Sequence, residues 1–414
     1  MHIVYRIFIG LLTSAIILTF FSLFLFSGTY LLTHNPRAMD FLAFYTGAHL
    51  LSQSPIELYN LHAQLITQQQ IDPITRTTAV FLPFLNPPFV AIIFLSLLPL
   101  GLQNAYAIWT WVNTILLLVL ISLAYQHVKP KKWYLAVLLI IGIITFIPIL
   151  TSVLIGQLSS LLCLIFLCAW ISLKRDREFL GGLILSCIAI KPQYIILLLL
   201  ALLLQRRKKL LAGFLTGIAI LFCFSYLLVG GNGIDSYFSL LDMSLHWSSG
   251  FGIDLMAQHS LQTAFLILFQ TQSPSQIYLP WIISIALIGL PTLFLWTKKF
   301  AYTSANFAYQ FAILIVATLL ISPHTHFHDL SLLVVVAIII LSIINKLKPK
   351  MKNIFIVLLS TGFAIELAGY LLDVQTQTAT HPLWILVSVG YMLILWFFLF
   401  KTLIQSQKNI KNKD

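Results

Sequence analysis

The feature that most constrains this chain is a series of apolar runs of about 20 residues that recur along it. A helix of that length rises about 30 Å, which matches the hydrocarbon core of a bilayer. Hydrophobic residues make up 59% of the chain and charged residues only 9%, far from the balance of a soluble domain. The sequence therefore predicts an all-α polytopic membrane protein and argues against a soluble globular fold.

We predict about ten full spans, supplemented by re-entrant or half-span helices. The proposed spans are 5–27, 104–126, 133–151, 158–173, 210–228, 277–297, 304–321, 329–345, 353–372 and 382–402. Residues 86–100 are too short for an easy crossing. Residues 179–204 are interrupted by Lys191-Pro192, which leaves two arms of about 18 Å each. We therefore expect a hairpin whose two ends lie on the same face of the membrane.

Clusters of lysine and arginine between the spans indicate the orientation. With the hairpin, nearly all of them fall on one face, which the positive-inside rule assigns to the cytoplasm. We expect a bacterial inner (cytoplasmic) membrane, cytoplasmic N- and C-termini, and most acids and histidines on the outer face. The net charge of +12 arises from these clusters, so it does not indicate nucleic-acid binding. All four cysteines lie in apolar segments, which predicts no disulfide, metal or redox role.

The first polar feature begins at Asp40, directly after the first apolar run. Residues 39–49 are typical of a short amphipathic helix at the outer membrane surface. Asp40 at its start could simply cap free backbone N–H groups. The aromatic residues Phe41, Phe44 and Tyr45 fit either an interfacial belt or a platform for a sugar.

The second feature is the run 322–329, which contains His324, His326, His328 and Asp329. Alternating histidines could bind a metal ion, but zinc ligands normally follow defined helical or loop spacings. We therefore expect no required metal cofactor, although a divalent ion would be compatible with these residue types. Three imidazoles and a carboxylate exceed what anchoring at an interface needs, so phosphate binding or proton transfer is the favoured interpretation.

The third feature is Lys191 at the tip of the predicted hairpin, followed by Gln193. A lysine within an apolar stretch costs about 2.5–3.5 kcal/mol on insertion scales and indicates function unless it can reach a headgroup. At the tip its ammonium could lie beside a lipid phosphate. Gln157, Asp254 and His259 are further polar candidates on the same predicted face.

Taken in order, these segments resemble glycosyltransferase family 87, the polyprenol-phosphate-mannose-dependent mannosyltransferases with the C-type membrane fold. The resemblance covers about residues 30–345 of a single membrane domain spanning 1–414; residues 346–414 add two spans and a basic cytoplasmic tail. Asn86 stands where the family usually has the tyrosine that precedes two prolines, and Gln258-His259-Ser260 stands where members often show Asn-Gln-Ser. The motifs are Asp40-Phe41 through Tyr45 and Ala48, Pro55-Ile56-Glu57-Leu58-Tyr59, Asn86-Pro87-Pro88-Phe89, Gly156-Gln157, Lys191-Pro192-Gln193, Ser322-Pro323 and His328.

The resemblance implies transfer of a hexose, with mannose expected, from a polyprenyl phosphate to a hydroxyl of a lipid or glycan acceptor, with inversion. It makes Asp40 the general base and His328 a catalytic residue lining the site. Our topology adds Lys191, His324 and His326 as ligands of the donor phosphate. The expected substrate-binding residues are Tyr45, Gln157, Gln193, Asp254, His259 and Asp329.

A transporter or flippase of a lipid-linked sugar is the main alternative, because broken helices and buried lysines also mark transporters. No internal repeat relates two halves of the chain, and the polar groups collect on one face instead of the midplane. Another membrane transferase, such as an O-antigen ligase or an acyltransferase, is a third hypothesis, and the early Asp40 segment argues against it.

Overall fold

The structure is a computed structural model that describes residues 40–72, 81–246, 258–271, 273–376 and 381–411. The predicted span 5–27 and Asp254 lie outside these residues. The described chain is helical, and its β-structure is limited to one isolated bridge between Gln258 and His326. The α-helices are α1 (Phe41–Gln53), α2 (Leu61–Ile71), α3 (Pro88–Leu95), α4 (Gly101–Val128), α5 (Trp133–Ile144), α6 (Ile147–Leu154), α7 (Ser159–Lys174), α8 (Glu178–Ser186), α9 (Ile195–Gln205), α10 (Lys208–His246), α11 (Leu261–Leu268), α12 (Tyr278–Trp296), α13 (Ala305–Ile321), α14 (Leu332–Ile343), α15 (Pro349–Thr376) and α16 (Pro382–Lys411).

Six of the described helical segments are long and apolar enough to cross a membrane, and a bent pair would make seven. The count of about ten full spans is therefore not confirmed among the described residues. The predicted span 133–151 is bent by 50° between α5 and α6. The six segments are Leu98–Val128, Lys208–Ser244, Ser275–Trp296, Phe327–Lys346, Pro349–Asp373 and Pro382–Gln407.

Two predicted spans, 158–173 and 304–321, form helices of only 16 and 17 residues. At 1.5 Å per residue they measure about 24–26 Å, which is less than a typical hydrocarbon core of about 30 Å. Both helices, α7 and α13, are buried along nearly their whole length. Their apolar composition therefore serves protein packing, a role that sequence alone does not distinguish from contact with lipid.

The outer helices keep large apolar side chains exposed, as expected of surfaces that face lipid. Leu227 on α10, Leu279 and Leu287 on α12 and Val357 on α15 are all more than 60% exposed. Such side chains would be unfavourable in contact with water. The exposed apolar surface and the long helices together identify an integral membrane protein.

The segment predicted as a hairpin is broken at Lys191, as its sequence indicates. Helix α8 continues as a 3-10 turn over Cys187–Ile190, and a second 3-10 turn over Pro192–Tyr194 leads into α9. The ion pair Arg207–Glu178, with Nη1 and Oε1 3.0 Å apart, joins the residue that begins α8 to the loop that follows α9. The two ends of the broken segment therefore meet, which supports the predicted hairpin.

Helix α10 lies close against α8 through glycines on both helices. A Cβ atom at Gly182 would collide with the carbonyl oxygen of Leu210, and one at Gly213 with that of Phe179. Gly213 and Gly217 form the small-xxx-small spacing that lets membrane helices approach closely. This contact fixes one arm of the hairpin.

Gly230 divides α10 into two segments. Its φ of 69° and ψ of −176° interrupt the helical geometry, and residues with side chains rarely adopt a positive φ. The turn carries the second half of α10 to the central cavity, where Leu241 and Ser244 form part of the wall. A backbone conformation available to glycine thereby shapes the site.

Candidate functional site

A cavity of about 330 Å³ lies between the start of α1, the tip of the hairpin and the histidine-rich loop before α14. Its size is within the range of small-molecule sites. One part of the wall is apolar and includes Phe44, Leu82 and Leu241. The polar lining residues are Asp40, Asn86, Thr151, Gln157, Lys191, Gln193, Ser244, His324, His326 and His328.

Asp40 does not act as the helix cap that its position suggests. Its side chain makes no capping hydrogen bond to α1, and instead its Oδ2 accepts a hydrogen bond of 2.6 Å from Nε2 of Gln157. The backbone N–H of Phe41 is satisfied by the carbonyl of Ile155 at 3.0 Å. The carboxylate is therefore available to the cavity and remains 31% exposed there.

The surroundings of Asp40 make its carboxylate more basic. Burial raises the pKa of Asp40 above its usual value of 3.8, and the hydrogen bond from Gln157 and the positive charge of Lys191 only partly oppose this effect. A raised pKa strengthens a carboxylate as a proton acceptor. Asp40 therefore combines accessibility with the electrostatics of a general base.

Helix α1 is buried within the protein and does not lie free at a surface, while its depth relative to the membrane stays a prediction. Phe41 and Phe44 are at most 3% exposed, because their rings pack against Phe94 on α3. Phe41 also contacts Tyr106 on α4. These contacts hold the first residues of α1, and with them Asp40, against the protein core.

Lys191 forms a buried ion pair with Asp329, whose side chain is fully buried. The ammonium also lies 3.2 Å from Nε2 of His328. An ammonium has three N–H donors and no acceptor. Asp329 and His328 occupy two of the donors, which leaves the third for a group in the cavity.

The contact with Lys191 also determines where His328 carries its proton. Because Lys191 can only donate, Nε2 of His328 accepts, and the proton of the neutral ring is on Nδ1. That nitrogen lies 3.8 Å from Oδ2 of Asp40. The structure thus aligns Asp329, Lys191, His328 and Asp40 in one chain of polar contacts across the cavity wall.

The histidine-rich loop is fixed by backbone pairing with residues 258–259. The bridge joins Gln258 to His326, and the N–H of His259 donates to the carbonyl of Thr325 at 2.7 Å. The rings of His326 and His328 are stacked with their centroids 5.4 Å apart. In the described part of the chain, no group of three or more His, Cys, Asp or Glu residues is arranged to hold a metal ion.

Three of the predicted substrate-binding residues do not line this cavity. The hydroxyl of Tyr45 donates to the carbonyl of Leu98 at 3.0 Å on the far side of α1. His259 is fully buried against Phe327 and Trp384, and burial lowers the pKa of His259 to about 3. Asp329 lies behind Lys191. Asp254, another predicted substrate-binding residue, is not among the described residues.

Asn86, noted in the sequence only as a departure from a family pattern, connects two walls of the cavity. Its Nδ2 donates to the carbonyl of Ile190 at 3.0 Å, and its own carbonyl accepts from the hydroxyl of Tyr59 at 2.8 Å. It therefore holds the residue before Lys191. The replacement of the expected tyrosine was the sequence signal that could have identified this position.

Two glutamines hold the apolar wall and were missed entirely. The side-chain amide of Gln64 accepts from the N–H of Phe84 at 2.8 Å and donates to its carbonyl at 3.3 Å. Gln68 pairs with the backbone of Leu82 in the same two ways. The two glutamines are four residues apart and so share one face of α2, a spacing that could have indicated this role.

The family model of glycosyltransferase family 87 matches residues 84–323, more than half of the chain. The match includes Gln157, Lys191 and Gln193, but it begins after Asp40 and ends just before His324. No curated protein and no solved structure was found to match this chain.

Proposed function

We propose that this chain, which belongs to glycosyltransferase family 87 and is a membrane glycosyltransferase, transfers a hexose from a polyprenyl phosphate to a lipid or glycan hydroxyl. The expected sugar is mannose. The observation that carries this proposal is the placement of Asp40. Its carboxylate is not a helix cap and shares a cavity with Lys191. A carboxylate that can accept a proton and a positively charged ammonium therefore line the same cavity.

In the proposed reaction the acceptor hydroxyl attacks C1 of the sugar as its proton passes to Asp40. The new glycosidic C1–O bond forms while the bond from C1 to the phosphate oxygen breaks. The electrons of that bond remain on the polyprenyl phosphate, which leaves as an anion. Attack opposite the leaving group inverts the configuration at C1.

Lys191 has the free N–H needed to bind the developing negative charge on the phosphate. The buried partner Asp329 keeps the ammonium paired in the resting enzyme, which offsets part of the cost of holding that charge away from water. His324 and His326 line the cavity beside Lys191 and complete the proposed phosphate site. Gln157 and Gln193 are the proposed polar contacts to substrate, and no metal step is required by this scheme.

We place the cavity on the outer side of a bacterial inner membrane, with both termini in the cytoplasm. Support comes from the hairpin, because Lys191 lies at its tip while Glu178 and Arg207 join its ends. Single cysteines made by Arg206→Cys and His326→Cys in a background without the four native cysteines test this topology. An impermeant thiol reagent should label only the second in intact cells, and labelling of both from one side contradicts it.

The decisive experiment uses purified protein in vesicles, radiolabelled polyprenyl-phosphate-mannose and a panel of lipid and glycan acceptors. We expect labelled product from the parent and from Asp235→Asn, which alters an exposed carboxylate on α10. Asp40→Asn should form almost none. Equal transfer by Asp40→Asn contradicts the assignment of the base, and movement of intact donor across the vesicle without bond cleavage supports the flippase alternative.

A further inference from the structure

The side chain of His324 is held by a residue that the proposed reaction does not use. Nε2 of Gln258 lies 3.3 Å from Nδ1 of His324. The backbone carbonyl of His324 also accepts a hydrogen bond of 3.2 Å from Nε2 of Gln193. Both the main chain and the ring of His324 are therefore fixed in the cavity wall.

The contact with Gln258 determines which nitrogen of His324 carries the proton. The amide nitrogen of glutamine can only donate, so Nδ1 accepts and the proton of the neutral ring is on Nε2. Burial, with a smaller contribution from the charges of His326 and Lys191, lowers the pKa of His324 to about 4. The ring is therefore neutral near pH 7, with an Nε2–H donor. In this orientation Oε1 of Gln258 is buried without a hydrogen-bond partner. The opposite orientation would instead leave its NH₂ group unpaired, and buried N–H groups without a partner are rarer in folded proteins than unpaired carbonyl oxygens.

Nε2 of His324 is buried and has no hydrogen-bond partner in the protein, although the residue lines the cavity. A buried donor without an acceptor is unfavourable, and such groups in folded proteins call for a specific explanation. His328 has the opposite arrangement, with its Nδ1–H directed towards Asp40. The imidazoles of His324 and His328 therefore carry their protons on different nitrogens.

We propose that the neutral Nε2–H of His324 donates a hydrogen bond to an oxygen of the bound sugar donor, and that Gln258 is the positioning residue that fixes this tautomer. The inference rests on the proposed function and assigns a role to Gln258 that the reaction scheme lacks. A neutral donor can bind oxygen without adding a charge to a wall that already contains Lys191, Asp329 and Asp40. The oxygen belongs either to the phosphate or to a sugar hydroxyl.

The sharpest test replaces the donor amide by an acceptor. In Gln258→Glu the carboxylate can only accept, so the neutral ring must place its proton on Nδ1 and loses Nε2–H. Protonation of the ring restores Nε2–H and is favoured by the new carboxylate. We expect the donor affinity of this variant to fall about tenfold between pH 5.5 and pH 8.5, the worth of about one hydrogen bond, while the parent shows no such fall.

Matched variants separate this effect from damage to the loop. Gln262→Glu introduces a carboxylate at another buried glutamine nearby in sequence and should not produce the pH dependence. Gln258→Met permits both tautomers and should weaken binding several-fold at every pH. In ¹⁵N spectra of histidine-labelled parent, the signal lost in His324→Phe should have the chemical shifts of an Nε2–H ring. This measurement remains available if Gln258→Glu does not fold.

The ligands used are polyprenyl phosphate and polyprenyl-phosphate-mannose, without acceptor. If His324→Phe loses affinity equally for both lipids, the oxygen belongs to the phosphate. If affinity falls only for polyprenyl-phosphate-mannose, the oxygen belongs to the sugar. An Nδ1–H ring in the parent, or a Gln258→Glu affinity that does not vary with pH, overturns the inference while the proposed function stands. A parent that binds neither lipid overturns both.

Discussion

The hairpin over residues 178–207 carries an ion pair at its tip and another where its ends meet, and the two are built differently. At the tip, Lys191–Asp329 is almost completely buried, with side chains 8% and 0% exposed. Where the ends meet, Arg207–Glu178 is 15% and 21% exposed. The tip borders the cavity, whereas neither residue of the second pair lines it.

The second pair is surrounded by partners of its own. Arg207 also donates to the carbonyl of Phe300 at 2.5 Å and lies over the ring of Tyr302 at 3.9 Å. The hydroxyl of Tyr302 donates to Oε1 of Glu178 at 2.9 Å. These contacts close the hairpin against the loop before α13, whereas Lys191 keeps one donor for a ligand. An ion pair thus indicates a site when it retains unused hydrogen-bonding capacity beside a cavity.

The largest expected effect is that of Asp40→Asn, near the tip. Loss of the proposed general base should lower the rate of sugar transfer by about 10²- to 10⁴-fold, while Glu178→Gln at the other pair should leave the rate within about twofold of the parent. The measurement is transfer of label from polyprenyl-phosphate-mannose. If Glu178→Gln lost as much activity as Asp40→Asn, the functional distinction between the two pairs would be wrong.

Asp40→Asn should be at least as stable as the parent at pH 7. The folded pKa of Asp40 is raised by burial, so ionisation destabilises the fold progressively as pH rises from 3.8 through the folded value. Asparagine avoids this cost and can still accept the hydrogen bond from Gln157. A clear fall in the thermal midpoint of Asp40→Asn in detergent at pH 7 would contradict this assignment.

The next effect is that of Lys191→Met, which leaves Asp329 buried without its partner. Removing one member of a buried pair typically costs about 3–5 kcal/mol, so the thermal midpoint and the transfer rate should both fall. The double variant Lys191→Met with Asp329→Leu removes both charges and should recover stability but not transfer. Recovery of both properties would show that the pair serves packing alone.

A smaller loss is expected where the ends of the hairpin meet. Arg207→Met should reduce stability by about 0.5–2 kcal/mol, because the pair is partly exposed but the guanidinium also bonds a carbonyl and stacks on a ring. Arg207→Lys keeps the charge and should retain part of that stability. Denaturation in detergent measures the difference, and a loss as large as that of Lys191→Met would remove the contrast between the pairs.

The smallest predicted effect is a shift in the pH dependence of the transfer rate, caused by a change beside Asp40. Gln157→Leu removes the hydrogen bond that lowers the pKa of Asp40, so the acidic limb of the transfer rate should move to higher pH. The rate at high pH, where Asp40 is ionised in both proteins, should change less. An acidic limb that moves to lower pH, or does not move, contradicts the role of Gln157.

Parts of the site were predictable because their sequence signals were local. Lys191-Pro192 in an apolar segment indicated both the break and the tip, and the polar run 322–329 indicated a loop between apolar helices. The structure brings Asp40, Gln157 and Lys191 to one cavity with His324, His326 and His328. Tyr45 and Asp40 show the limit, because the sequence did not reveal that the tyrosine faces away or that the carboxylate caps nothing.

Residues whose partners are distant in sequence escaped prediction. Glu366 on α15 accepts hydrogen bonds from Trp384 Nε1 at 3.1 Å and Ser388 Oγ at 2.6 Å on the adjacent helix α16, and no local pattern in the sequence indicates these partners. In the sequence Gln64 and Gln68 are ordinary polar residues, and only the structure shows that their side-chain amides form hydrogen bonds with the backbone of residues 84 and 82. A buried polar group forms hydrogen bonds with whichever segment packs beside it, and the packing of the helices decides which segment that is.

The amino-acid sequence alone is enough to predict that the chain belongs in a membrane and breaks at Lys191, because apolar length and the conformational limits of proline are local properties. It did not determine how many helices cross, since buried helices such as α7 and α13 are as apolar as lipid-facing ones. The pairing of Asp329 with Lys191 and the position of Asp40 at a cavity became evident from the folded chain alone. Those contacts join segments more than 100 residues apart, and their geometry arises from the packing of whole helices.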